Sequence, residues 1–333
     1  MLKRIIQKIS SHKMRDPSFV FSAPRSGSTW NLMMLNAHPQ IVCAEHRFFG
    51  EFHELWTDDA AQQKSSPRIT LDYYTNYLGN ISSYYYRIYM LDKRDVSMRY
   101  QNEIMRSIQK CCIDLTGKNI YIEKVTPYIN TSKIVSEKVQ EYFPNSAKIF
   151  LLRDGRDMLT SSIFFWLQRV VQPTLIQEER LKYFTENRTW RTKRFFTDEE
   201  LVHYAQHWID PLVNLKPICT LTIKYEEMID NTFQILREVF KTVGAKSTDT
   251  QIEHCVSQGS FKQMSGGRER NEENALAFCR KGIYGDWKNY MTHGDAIVYH
   301  DIAGEFLIAA GYEQSSSWMN DLPEERIFEA KRT

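Results

Sequence analysis

Residues 18–30 (SFVFSAPRSGSTW) contain the chemical groups of an anion-binding turn. Arg25 supplies a fixed positive charge, and Ser28 and Thr29 supply hydroxyl donors. Gly27 carries no Cβ and lets the backbone approach a ligand closely. Together these residue types are suited to hold a phosphate-like group.

The residues around this turn are expected to aim it. A short run of β-formers precedes it, and an apolar helical pattern follows from Trp30 to Leu35. A strand, a small-residue turn and a helix direct the unpaired first-turn amides and the positive end of the helix dipole at one spot. An ordinary turn with a solvated arginine is the alternative. The turn lacks the second glycine and the lysine of a kinase P-loop, which excludes that motif.

A second cluster follows residues 147–152 (AKIFLL), which form the clearest buried strand of the sequence. Arg153 lies at the carboxyl end of this strand, the edge where open α/β sheets bind ligands. Ser161 lies eight residues further, about two helical turns into the next helix. A guanidinium and a hydroxyl that converge there can hold a second phosphate. A surface Arg–Asp pair and an unrelated helix serine are the alternative.

A third segment, residues 280–289 (RKGIYGDWKN), has the composition of an ordered loop. Arg280 and Lys281 can neutralise a phosphate, and Gly282 allows close backbone approach. A solvated basic turn is the alternative.

These three segments resemble those of sulfotransferases that use 3′-phosphoadenosine 5′-phosphosulfate (PAPS). Residues 24–30 resemble the family's 5′-phosphosulfate loop, P-[KR]-S-G-[ST]-T-W. The Arg–Ser pair eight residues apart resembles its 3′-phosphate motif, and residues 280–289 resemble the C-terminal loop of the cytosolic branch. The resemblance implies PAPS as sulfuryl donor, with these cofactor-binding residues: Arg25, Ser26, Gly27, Ser28, Thr29, Arg153, Ser161, Arg280, Lys281 and Gly282.

Two aromatic residues match the family's contacts to adenine. Trp30 matches the tryptophan that stacks on the base, and Tyr225, at the end of the strand-like CTLTIKY, is similar to the tyrosine that contacts it. Both residues also suit a role in the hydrophobic core, which is the alternative.

The catalytic residues follow from a different branch of the family. Residues 123–127 (EKVTP) have no histidine, the base of the cytosolic branch. The segment HPQIVCAEHRFF instead resembles the glycan and tyrosyl-protein branches, whose base is a glutamate. That resemblance implies Glu45 as general base, with Arg25 and Lys124 as cations near the transferred group and no metal. His46 and Glu123 remain alternative bases.

The alternation of strands and helices predicts an α/β fold, a parallel sheet with helices on both faces. The resemblance implies the P-loop-like sulfotransferase fold. We expect a single sulfotransferase domain over residues 18–312, an N-terminal tail over residues 1–17 and a C-terminal tail over residues 313–333.

Composition limits the partners and the compartment. The formal net charge is +2, without the basic surplus of nucleic-acid binders, so we expect no nucleic-acid partner. No apolar run reaches membrane-spanning or signal-peptide length. The six cysteines show no metal-ligand spacing and suit a reducing compartment, so we expect a cytoplasmic protein.

The acceptor is expected to be a small molecule with a hydroxyl or an amine. Aromatic residues 74–89 and 164–166 suggest a partly apolar pocket for it. A carbohydrate or tyrosyl-protein acceptor is the alternative, and a non-catalytic PAPS-binding module a second one. The sequence does not decide between oxygen and nitrogen sulfation. It also leaves the oligomeric state open, because the family's dimer motif is only half present.

Overall fold

The structure is a computed structural model that describes residues 14–46, 93–127, 129–167, 172–186 and 188–330, without the side chains of residues 93–98. The strands, in chain order, are β1 Ser18–Ser22, β2 Ile41–Ala44, β3 Ile120–Val125, β4 Lys148–Leu152, β5 Trp190–Thr192, β6 Leu221–Lys224 and β7 Arg326–Phe328. The helices are α1 Ser28–Ala37, α2 Lys93–Thr116, α3 Ser132–Tyr142, α4 Gly155–Trp166, α5 Leu175–Glu186, α6 Asp198–Asn214, α7 Tyr225–Asp230, α8 Thr232–Thr242, α9 Asp249–Gln258, α10 Phe261–Met264 and α11 His293–Ala309.

Five parallel strands form the central sheet, in the order β2-β3-β1-β4-β6. The central strand β1 pairs with β3 on one side and with β4 on the other, so that Val20 faces Lys124 and Ile149. Because all five strands run in one direction, the turns that leave their carboxyl ends lie at one edge of the sheet. The fold thereby brings together the turns after β1, β3, β4 and β6.

Both faces of the sheet are buried, as a parallel sheet requires. Successive β1 residues alternate between the two faces: Phe19 and Phe21 join one apolar cluster, and Val20 joins the other. Helices α3, α4, α6 and α11 contribute to the first cluster, and α1, α7, α8 and α9 contribute to the second. The predicted α/β architecture, with helices on both faces, is confirmed.

A second, antiparallel pair lies apart from the main sheet. Strand β5 pairs with β7, so that Trp190 is opposite Phe328 with ring centroids 5.4 Å apart. Trp318, in the same C-terminal segment, is 8% exposed. The described part of the segment predicted as a C-terminal tail therefore packs against the domain.

The described helices carry no span for a lipid bilayer, since none is both apolar and long enough. The described side chains also form no group of three or more metal-ligating residues.

Candidate functional site

The turn between β1 and α1 adopts a conformation that few residues tolerate. Arg25 and Gly27 both have positive φ angles, 59° and 83°. A Cβ atom built on Gly27 would lie 2.7 Å from the ring of Tyr225, so only glycine fits there. The sequence predicted that Gly27 lets the backbone approach a ligand closely. In the structure, the group nearest to the position of the missing Cβ is the Tyr225 ring.

The side chain of Arg25 extends from this turn toward α4 and toward the loop before residue 280. Its Nε donates to Oγ of Ser161 at 3.2 Å, and its terminal nitrogen donates to the carbonyl of Phe278 at 2.8 Å. The guanidinium also lies 4.7 Å from the ring centroid of Phe165. Arg25 and Ser161, 136 residues apart in sequence, thus meet directly.

Arg153 lies at the carboxyl end of β4, where the sequence places it. One terminal nitrogen donates to the backbone carbonyl of Arg25 at 2.7 Å, and the other donates to the carbonyl of Ile283 at 3.2 Å. Its guanidinium stacks on Tyr225, 4.3 Å from the ring centroid. Its buried Nε has no hydrogen-bond partner among the described residues, nor does the buried hydroxyl of Ser26.

The positive charges around this turn repel one another. Burial lowers the pKa of Arg25 to about 10, and the charge of Arg153 is the second cause. Neither side chain forms an ion pair with a carboxylate in the described part of the chain. Because buried cations that form no ion pair with a carboxylate are costly, this arrangement favours a bound anion.

The loop that carries Arg280 and Lys281 closes the other side of the site. Arg280 pairs with Glu273 at 2.5 Å and with Asp286, and Lys281 pairs with Asp286 at 2.9 Å. Gly282 has φ 69°, and a Cβ there would lie 2.4 Å from Phe261. These charges are therefore partly neutralised by carboxylates of their own segment.

Asp157, a residue that sequence reasoning missed, anchors this loop to α4. Its carboxylate accepts hydrogen bonds from the backbone N–H groups of Gly285 at 2.6 Å and Trp287 at 3.0 Å. Burial raises the pKa of Asp157 to about 6, although these donors and Arg153 oppose the shift. Asp157 lies in the first turn of α4 and follows Arg153 by four residues, so the loop is anchored close to Arg153.

The two predicted adenine contacts lie side by side. The rings of Trp30 and Tyr225 meet edge to face, with centroids 5.8 Å apart. Arg270 lies 5.2 Å from the Trp30 ring and donates to the carbonyl of Gly282 at 2.7 Å. Arg270 is a second residue that the sequence analysis missed, since the segment before residue 280 carries no recognisable pattern.

One pocket gathers nearly all of the predicted cofactor residues. Ser26 alone is not in its wall. The side chains that line it, predicted and missed, are Arg25, Gly27, Ser28, Thr29, Trp30, Arg153, Ser161, Tyr225, Gly259, Phe261, Met264, Arg270, Phe278, Cys279, Arg280, Lys281, Gly282 and Ile283.

Glu45 and Lys124 form an ion pair of 2.7 Å at the same edge of the sheet, and the Glu45 side chain is 27% exposed. Glu123 is fully buried and faces the other way, because neighbouring strand residues alternate in direction. It accepts hydrogen bonds from the Tyr121 hydroxyl and the His46 backbone, both at 2.5 Å. The two other candidate bases, His46 and Glu123, are therefore hydrogen-bonded to each other.

A second cavity, of about 750 Å³, begins at Pro24 and Arg25 and extends between α4, α5 and α6. Phe165 and Trp166 line it, whereas Phe164 is buried in the core, 4% exposed. Residues 74–89, predicted to contribute to an acceptor pocket, lie outside the described residues.

Comparison with known proteins gives a family. The family model described as the sulfotransferase domain matches residues 15–315. Sulfotransferase 2A1 of Homo sapiens is 24% identical over 47% of this chain and 55% of its own length. The 3-beta-hydroxysteroid sulfotransferase of Cavia porcellus is 25% identical over 59% of this chain and 68% of its own. The chain thus spans little more than half the length of the first of these relatives.

Among solved structures, mouse sulfotransferase SULT7A1 complexed with PAP aligns with a TM-score of 0.48 at 15% identity, over 96% of this chain and 92% of that one. Retinol dehydratase in complex with androsterone and PAP aligns with a TM-score of 0.45 at 17% identity, over 89% and 82%.

Proposed function

The chain belongs to the sulfotransferase family, and we propose that it transfers the sulfuryl group of PAPS to a hydroxyl or amine of a small-molecule acceptor. The observation that carries this proposal is the convergence of two phosphate-binding clusters in one pocket. Arg153 and Ser161 both contact Arg25 of the first turn, and the loop with Arg280 and Lys281 closes the other side of the pocket. A donor with a phosphosulfate at one end and a 3′-phosphate elsewhere requires two such clusters.

The residues present fit that donor. In the pocket wall, the buried Nε of Arg153 lacks a hydrogen-bond partner among the described residues. The absence of a Cβ on Gly27 lets the Tyr225 ring pack against the turn. Trp30 and Tyr225 offer aromatic faces to a base, and the excess positive charge beside Arg25 suits phosphate groups.

We assign the acid–base step to Glu45. A carboxylate can take the proton of the acceptor, and its ion pair with Lys124 holds it at the carboxyl edge of the sheet. When bound, the cofactor supplies an activated sulfuryl group. Lys124 and Arg25 are the cations proposed to stabilise negative charge there, so we expect no dependence on Mg²⁺.

The shape of the second cavity supports a small acceptor over a polymer. The cavity begins at Arg25, which also lines the cofactor pocket, and runs between helices of the domain. A protein or long-chain carbohydrate acceptor requires an open groove instead. A non-catalytic binding module has no use for the Glu45–Lys124 pair. A cytoplasmic location stays a prediction.

The test is calorimetric titration with 3′-phosphoadenosine 5′-phosphate (PAP), without Mg²⁺. The wild-type protein and Arg153→Ala are compared, with Arg191→Ala as matched control because Arg191 is an exposed arginine paired with Glu325. We expect the Arg153 variant to bind PAP roughly 100-fold more weakly and the control to bind as the wild type does. Absence of PAP binding by the wild type would refute the proposed function. Equal binding by all three would refute only the assignment of the 3′-phosphate site.

A further inference from the structure

The loop at residues 279–283 is held by residues 268–274 through its carbonyl oxygens. The hydrogen bonds, of 2.5 to 3.1 Å, run from the Arg268 side chain to Cys279 and Arg280, from the Asn274 N–H to Arg280, from the Asn271 N–H to Lys281 and from the Arg270 side chain to Gly282. Each carbonyl of residues 279–282 therefore has a donor in the same neighbouring segment.

The N–H groups of the same peptide units point away from that segment. In a trans peptide unit the N–H lies opposite the C=O, and the described residues contain no cis bond. The N–H groups of residues 280–283 have no hydrogen-bond partner among the described residues. These residues line the cofactor pocket, and Gly282 has a φ of 69°. Successive free N–H groups in a turn of this kind form a concave site for an anion.

Arg268 holds this loop from outside the pocket. Its Nη1 donates to the carbonyls of Arg280 and Glu272, both at 2.8 Å, and its Nη2 donates to the carbonyl of Cys279. The pocket wall includes Arg270 but not Arg268. Any effect of Arg268 on a bound cofactor is therefore indirect, either through the loop or through its charge.

The bonds from Arg268 also strengthen the donors of the loop. A cation bonded to a carbonyl oxygen polarises the peptide unit and makes its N–H a better donor. The two units that Arg268 holds carry the N–H groups of Arg280 and Lys281. Arg153 donates to the carbonyl of Ile283, at the end of the same loop, at 3.2 Å. The oriented N–H groups thus lie beside the arginine proposed to bind the 3′-phosphate.

We infer that Arg268 is a positioning residue for the 3′-phosphate of the donor. Its guanidinium holds the carbonyls of Cys279 and Arg280 away from the pocket, so that the N–H groups of residues 280–283 are available to the phosphate. The inference rests on the proposed function, since it assumes that this pocket holds PAPS. Without Arg268, the loop keeps its bonds to residues 270, 271 and 274 but loses the fixed orientation of its first two peptide units.

The test compares PAP with adenosine 5′-phosphate (AMP), which lacks the 3′-phosphate, by calorimetric titration without Mg²⁺. Arg268→Ala removes the guanidinium. Arg268→Lys keeps the charge, but its single nitrogen cannot replace Nη1 and Nη2 together. Lys262→Ala is the matched control, because Lys262 is an exposed cation of the preceding helix that pairs with Glu269 at 2.7 Å.

We expect Arg268→Ala to bind PAP roughly 10- to 30-fold more weakly and to bind AMP within about threefold of the wild type. Arg268→Lys should recover part of the lost PAP affinity, and Lys262→Ala should bind both nucleotides as the wild type does. Equal weakening of PAP and AMP binding in Arg268→Ala would indicate general damage to the pocket and overturn the inference. Full PAP affinity in Arg268→Ala, or in Arg268→Lys, would overturn it as well.

The wild-type protein separates the two proposals. If the wild type binds PAP and Arg268→Ala binds it equally well, the proposed function stands and only the role of Arg268 fails. A wild type that binds PAP no more tightly than AMP would likewise overturn the inference alone. If the wild type binds no PAP, the proposed function itself fails.

Discussion

The two cavities that meet at Arg25 are built on opposite principles. The cofactor pocket is lined by backbone turns and by cations such as Arg25 and Arg153, and two of its glycines, Gly27 and Gly282, have positive φ angles. The second cavity, the one proposed to hold the acceptor, is lined mainly by side chains of three helices, and the buried cation Arg180 in its wall is neutralised by Glu200. Charge and fixed backbone geometry therefore define the first site, whereas shape and uncharged polar atoms define the second.

This difference bears on how each site can change. A turn that has positive φ angles and is packed closely against other groups accepts few residue types at each position. A cavity between helices keeps its volume under many combinations of apolar side chains.

The largest effect is expected at the proposed base. Glu45→Gln should lower kcat by roughly 10²- to 10⁴-fold, because the amide cannot accept the acceptor's proton. The PAP dissociation constant should stay unchanged, which steady-state kinetics and calorimetry together would reveal. His46→Gln is the matched control and should keep most of the activity. Near-normal turnover by the Glu45 variant would remove the proposed base.

The pH dependence of stability tests the anchor of the cofactor loop. The pKa of Asp157, raised to about 6 by burial, lies above that of an aspartate in the unfolded chain. Between about pH 4 and about pH 6 the folded protein holds a proton that the unfolded chain has released, so its stability falls as pH rises through this range. The wild type should lose up to about 3 kcal/mol relative to Asp157→Asn across it.

Urea unfolding of both proteins at several pH values would measure this difference. A stability gap between wild type and Asp157→Asn that does not change with pH would show that the carboxyl does not titrate in this range.

Gly27→Ala should damage the cofactor pocket alone. The new Cβ would lie 2.7 Å from Tyr225 at a φ of 83°, and positive φ by itself costs an L-residue about 1–2 kcal/mol. We expect PAP binding to weaken at least roughly tenfold, with binding of 2-naphthol, a small aromatic probe for the second cavity, unchanged. Gly117→Ala is the matched control: its φ is 67°, but no atom lies within 4 Å of the added Cβ. Equal losses of PAP affinity in both variants would show that the contact with Tyr225 is unimportant.

Phe165→Ala should produce the smallest effect. We expect this effect on the second cavity and not on the cofactor pocket. Removal of this ring from the second cavity should weaken 2-naphthol binding by about five- to tenfold through lost apolar burial. The change in PAP affinity should stay within about threefold, since the ring also lies over Arg25. A larger effect on PAP than on naphthol would break the division between the two cavities.

The sequence predicted the architecture well wherever patterns are local. Residues 147–152 indicated a buried strand, which is present as β4. Residues 175–196 carry many charges and show no clear hydrophobic periodicity, yet they contain α5 and β5. There Arg180 is buried by its pairing with Glu200, which no local pattern reveals.

Part of the candidate site was equally open to sequence reasoning. The turn at Arg25–Gly27, Arg153 at the end of a strand, and Gly282 were found because each sits in a contiguous motif. Asp157 was missed because its role depends on backbone N–H groups 128 and 130 residues away. Arg270 was missed because its segment shows no local signal.

What the sequence determined by itself is the cofactor half of the protein. Strand, turn and helix patterns place a phosphate-binding turn at the edge of a parallel sheet, and local backbone geometry is enough to define it. Only the tertiary structure reveals the cavity between α4, α5 and α6. The hydrogen bond between His207 and Pro127, the Arg180–Glu200 pair and the Glu45–Lys124 ion pair depend on which side chains meet across long sequence distances. The packing of helices against the sheet determines these contacts, and no single stretch of the chain encodes them.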